Sequence, residues 1–217
     1  MLLPALSKAR EKARTISCAN NEKTLGIYAN MYMGEYNDTL LINDYDNKNH
    51  FGYSMYLAGI YGKAEAATML CPMSNIYRKE TKDTNDATDD FRRHFERMYG
   101  INVNLMCKAG VWTWKVGFNT MHEGGIAFLT MTSCKSPTEF ILAGDQFCTG
   151  FWLGGTNWQP AMRYYWPGTV NTATDAGSDY GICWHGGAMN ALFGDGHVEM
   201  VKKNVLVDEH NFIDGGK

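Results

Sequence analysis

No run of eighteen consecutive apolar residues occurs in this 217-residue chain, so nothing in it reads as a membrane-spanning helix. No Cys-x-x-Cys occurs among the six cysteines, at 18, 71, 107, 134, 148 and 183, which removes zinc ribbons and thioredoxin-type redox motifs. Basic residues form no stripe beyond Lys8, Arg10, Lys12 and Arg14, and the formal net charge is only -3, so nucleic acid is not an expected partner. No internal repeat is visible. What is present is an apolar fraction of 45%, ample for a core, in a length that suits one domain with room for an insertion. An even number of scattered cysteines suits an oxidising compartment, and six buried thiols would give the same pattern.

Leu2, Ala5, Leu6, Ala9, Ala13 and Ile16 fall at three- and four-residue steps, the period of a helical face. Leu25, Tyr28, Ala29 and Tyr32 continue the stripe, and Gly34 is a fitting stop. The pattern predicts one helix from about Pro4 to about Met33, roughly 45 Å long at 1.5 Å per residue. No N-cap precedes it, and Met1-Leu2-Leu3 is apolar, so it reads as the interior of a longer helix. A helix that outreaches its domain packs one end on something else.

Further along, residues 51–67 read as a second helix and the charged stretch 74–97 as a surface excursion. Val111–Val116 and Glu139–Ala143 have strand character, and residues 149–180 read as a long loop ordered by its aromatics. Ala188–Phe193 and His197–Val201 flank Asp195-Gly196, a strong hairpin signal because glycine takes positive φ freely. These elements give an α+β fold: a long N-terminal helix (residues 1–33) packed on an antiparallel sheet within a globular head (34–217), with long loop insertions.

The stretches Leu2–Ala13 and Cys18–Gly26 resemble the exit from the membrane helix of type IV pilin-like proteins. His185, nine residues, then Asp195-Gly196 is similar to the C-terminal His-x(9)-Asp-Gly signature of prepilin-type, pseudopilin-like proteins. Leu70-Cys71-Pro72, Tyr99-Gly-Ile-Asn102 and Ser136–Asp145 echo the same family, in order. The resemblance implies a pilin-like fold and a structural, non-catalytic subunit of a fibre associated with type II (general) secretion. Its partners would be other pilin-like subunits, met through the N-terminal helix, and the secretion apparatus. An upstream helix would form a single-pass inner-membrane anchor, with the head in the periplasm or extracellular space. Both Cys18 and Cys71 lie in the family-like stretches, which makes them the first choice for a disulfide. Such a bond would close a long loop, a constraint of about 4 kcal/mol in the chain-entropy model.

The chemistry-bearing residues have bland readings beside sharper ones. In a continuous strand His185 and Asp195 would stand on the order of 30 Å apart, so they share no site unless Gly186-Gly187 folds the chain back. Asp195-Gly196 then reads as a structural turn, with His185 fixing the strand entry. Cys183-Trp-His185 suggests a thiolate–imidazole pair, but no oxyanion site or third partner accompanies it. No cofactor is expected. Calcium is the one metal considered, because the pseudopilins that the chain resembles often bind it near the C-terminus. Asp175 and Asp179 are the candidates by position, with Asn43–Asn47 and Asp83–Asp90 behind them, though none alone supplies six to eight oxygens. Trp152, Trp158, Tyr164, Tyr165 and Trp166 could form a sugar platform, making the alternative a membrane-anchored carbohydrate-binding or adhesin-like module.

Overall fold

The computed structural model of the chain describes residues 2–44, 49–66, 71–72, 99–102, 122–123, 126–134, 136–145, 147–148, 161–162, 180–181 and 185–202. Helix α1 (Leu2–Glu35) is one continuous element, as the periodicity predicts. Its two halves differ. Residues 3–14 are all exposed, Leu3 by 82%. From Cys18 onward, Cys18, Glu22, Leu25, Ala29, Tyr32 and Met33 form a buried stripe. Steps of three and four put these residues on one side of the helix.

The helix does not stop at Gly34. Asn37 and Asp38 take φ of 53° and 59°, and the Asp38 N–H returns to the Met33 carbonyl at 2.8 Å. Short polar side chains tolerate the left-handed conformation, so Asn37 serves as the cap expected of glycine. The second helix is also shorter than expected. Beyond β1 (Thr39–Asp44) and β2 (Asn49–His50), α2 covers Phe51–Leu57 and a separate turn, α3, covers Lys63–Ala66. Gly59 breaks it, at φ 75°. Its N–H reaches the Tyr56 carbonyl at 2.9 Å and the Ile60 N–H reaches that of Met55 at 3.0 Å, a Schellman cap.

The remaining strands are β3 (Gly100–Asn102), β4 (His122–Glu123), β5 (Ile126–Thr130), β6 (Ile141–Gly144), β7 (Phe147–Cys148), β8 (Ala161–Met162), β9 (Tyr180–Gly181), β10 (Ala188–Phe193) and β11 (Val198–Lys202). One sheet has the order β2-β1-β5-β4, and a second has β11-β10-β6-β3-β8. Strands β7 and β9 pair separately. Every pairing is antiparallel except β3 with β8. Both β6 and β10 are buried along their whole length, and α1 lies against β10. The core between helix and sheets includes Leu25, Ala29, Leu40, Leu129, Phe140 and Leu192. This is an α+β arrangement, a long N-terminal helix on small antiparallel sheets. The strand expected at 111–116 and the excursion at 74–97 lie outside the described residues, as does the 149–180 loop apart from 161–162 and 180.

Two turns bracket β10. At the C-terminal end the loop is not a two-residue turn. Gly196 N–H donates to the Phe193 carbonyl and Phe193 N–H to that of His197, both at 2.9 Å, with Gly196 at φ 88°. That is a three-residue loop closed by a left-handed residue. The two-residue turn lies at the other end: Gly186 and Gly187, at φ 63° and 92°, reverse the chain between His185 and Ala188. Positive φ at both central positions is the type I′ turn that strand twist favours. Helix α1 comes down on this hairpin at Gly26, where a Cβ would stand 2.7 Å from Leu192 Cδ1 and 3.5 Å from the Gly196 carbonyl.

Candidate functional site

Four residues remote in sequence meet beneath α1. Cys18 comes from the start of the buried stripe and Cys71 from beyond α3. Asp145 follows β6, and His185 precedes the glycine turn. Their ligand-type atoms, two Sγ, a carboxylate oxygen and a ring nitrogen, all lie within 4.8 Å of one another. Every member is buried, the most exposed being Cys71 at 7%.

The backbone explains the convergence. Pairing of β6 with β10 sets Asp145 beside Asn190. Asp145 N–H donates to the Asn190 carbonyl at 3.2 Å, and Asn190 N–H donates to Asp145 Oδ2 at 2.8 Å. The Gly186-Gly187 turn returns His185 onto Ala188, whose carbonyl accepts its N–H at 2.6 Å. His185 does fix the strand entry, then, through its backbone. Its ring lies with the helix: Nδ1 is 3.2 Å from Thr15 Oγ1, and Nε2 is 3.0 Å from Asp145 Oδ2 and 3.5 Å from Cys71 Sγ. Cys18 Sγ lies 2.6 Å from Asp145 Oδ1 and 3.3 Å from the Tyr99 hydroxyl, which donates to the Cys18 carbonyl at 3.1 Å.

Burial sets the electrostatics. It pushes the Cys18 thiol up, helped by its hydrogen bond with Cys71 and the charge of Asp145. It pushes Asp145 up too, against the stabilising hydrogen bond from His185. Burial alone would lower His185, but its hydrogen bonds to Asp145 and Cys71 outweigh that and push it up to about 10. Glu22, one helical turn beyond Cys18, is fully buried. It lies near Asp145, and neither carboxylate oxygen has a hydrogen-bond partner among the described residues. Burial first, then the charges of Asp145 and Cys71, hold it well above the usual carboxylate range.

Neither thiol makes a cysteine–histidine–aspartate triad with this imidazole. A triad divides the two imidazole nitrogens between nucleophile and carboxylate. Here Cys71 and Asp145 both face Nε2, while Nδ1 faces Thr15. Cys18, buried and with its thiol pushed up, is the reverse of an activated thiolate. What the geometry offers is convergence of sulfur, nitrogen and oxygen donors on one point.

The disulfide implied by the resemblance is absent: Cys18 and Cys71 are both thiols. They are neighbours, as that pairing required, but each sulfur is engaged with the polar groups of the cluster. Asp195 does not join His185. Its Oδ1 accepts the His197 N–H at 3.1 Å at the hairpin tip, a turn role as expected. Cys183, the calcium candidates Asp175 and Asp179, the Asp83–Asp90 group and the aromatic residues Trp152, Trp158, Tyr164, Tyr165 and Trp166 lie outside the described residues. Sequence reasoning gave Asp145 only as the end of a family-like stretch, missed Glu22, and missed the thiols as ligands. The short stretches around residues 18, 71, 99, 145 and 185 that carry the family resemblance each send one residue into this cluster.

Comparison with protein-family models, curated proteins and solved structures finds no match for this chain.

Proposed function

We propose that the chain is a non-catalytic structural subunit of a pilin-like fibre of the type II secretion kind. In this reading the exposed half of α1 packs against the same helix of neighbouring subunits, and the head covers the fibre outside the cytoplasm, tethered to the inner membrane. The supporting observation is the divided burial of α1: its second half is set into the head, while Leu3, Leu6 and Ile16 stand at least half exposed on a helix of 34 residues. Each leucine buried in a helix bundle contributes about 1.5–3 kcal/mol, so such a face gains by association. Among the described residues no helix is long and apolar enough to cross a membrane, so the tether belongs to the proposal and not to α1.

Site-specific crosslinking in the producing cells tests this. A photoreactive residue at Leu6 should give adducts between copies of the chain or with other pilin-like subunits. The same probe at Glu199, exposed on β11, should give fewer. Monomer alone from the Leu6 probe would overturn the reading.

A further inference from the structure

We propose that Cys18, Cys71, Asp145 and His185 bind one divalent transition metal ion, Zn2+ by their donor chemistry, in a closed structural site that fixes α1 to the sheets. Two thiolates, an imidazole nitrogen and a carboxylate oxygen form a mixed, borderline-soft donor set that suits zinc and does not suit calcium or magnesium, which take oxygen. Zinc bonds of about 2.0–2.3 Å in a tetrahedron set neighbouring donors about 3.3–3.8 Å apart. The observed separations are 3.5 Å (Cys71 to His185), 3.0 Å (His185 to Asp145) and 2.6 Å (Cys18 to Asp145), in a cluster no wider than 4.8 Å, so the Asp145 contacts, now hydrogen bonds, would open by several tenths of an ångström when an ion replaces the protons.

The hydrogen bonds around His185 point the same way. The Thr15 hydroxyl donates to the Glu11 carbonyl at 3.0 Å, so its oxygen is left to accept from His185 Nδ1–H. With Nδ1 engaged there, Nε2 is the ring nitrogen turned toward Asp145 and Cys71, the position a metal-ligating nitrogen would take once its proton is displaced. Glu22 supplies an independent observation: a fully buried carboxyl beside the cluster, with both oxygens unpartnered among the described residues. A buried polar group left without a partner marks a place where an ion or water completes the site.

The surroundings have the form of an outer shell. Thr15 orients the imidazole, the Asn190 N–H holds Asp145, and Tyr99 lies at Cys18. Four protein donors with no exposed face leave no open position for substrate, which defines a structural site and not a catalytic one. Binding displaces the protons of the two thiols, and the ion then ties together segments at residues 18, 71, 145 and 185. The inference does not rest on the fibre reading: that is tested by crosslinks in cells, this by metal on the isolated protein, and either can fail alone.

The experiment uses the unaltered chain, purified under reducing conditions without chelator. Elemental analysis should find about one zinc per chain. Stripped of metal and titrated with Co2+, the chain should develop the thiolate charge-transfer band and the intense visible absorption of tetrahedral Co(II), both lost on adding Zn2+. Cys71→Ser should abolish the band, and Cys134→Ser should leave it unchanged. The proposal is overturned if the reduced, unaltered chain binds Co2+ without thiolate absorption or not at all. It is overturned equally if intact mass shows a Cys18–Cys71 disulfide whose reduction gives no metal uptake. Because these outcomes are read on the unaltered chain, a variant that fails to fold does not shield the proposal.

Discussion

At Gly196 two constraints act on one residue. Its φ of 88° lies where a side chain is strained, and a Cβ there would come within 3.0 Å of Asn30 Nδ2 on α1. Gly196→Val is therefore expected to lower stability by about 1–3 kcal/mol, read as a drop in the urea midpoint. An unchanged midpoint would remove the turn from the account. His185 belongs at the same scale. Its ring is buried and hydrogen-bonded. His185→Ala strips a buried carboxylate of its partner and should also cost about 1–3 kcal/mol, whereas His197→Ala, at the partly exposed tip, should cost under about 0.5 kcal/mol.

Helix α1 shows how far periodicity reaches. Its existence and length follow from apolar spacing, which local sequence contains, and the free first half follows from that length and not from the spacing, which is apolar throughout. Its end does not, because the cap fell to Asn37 where a glycine three residues earlier looked sufficient. The hairpin shows a similar limit. Both of its strands are legible in the alternating apolar runs, but the length of the loop at Asp195-Gly196 is set by the pairing of Phe193 with His197, which the turn signal alone does not give. The two helical glycines differ for the same reason. Gly34 has open space around its Cβ position, so Gly34→Ala should stabilise by about 0.5–1 kcal/mol through helix propensity. Gly26 is pressed on Leu192, so Gly26→Ala should be destabilising despite the same propensity gain. A pair of denaturant melts decides; two shifts of equal sign would contradict the close approach of α1 to the hairpin.

For the whole molecule, the α+β class was legible and the polar centre was not. The four donors come from an early helix, a loop, a strand end and a turn, so no spacing rule joins them, and only the folded sheet brings residue 145 to residue 185. The same centre gives the molecule its division of labour. It pins the second half of α1 to the head and leaves the first half presented outward. The most direct measurement is amide hydrogen exchange on the chain with zinc and with chelator. Amides of residues 3–14 should exchange fast in both states, since no packing holds that half. Those of residues 18–33 and of β10 should be strongly protected with zinc and lose much of that protection when it is removed. Protection of residues 3–14 equal to that of 18–33, or no response of either segment to zinc, would contradict the account.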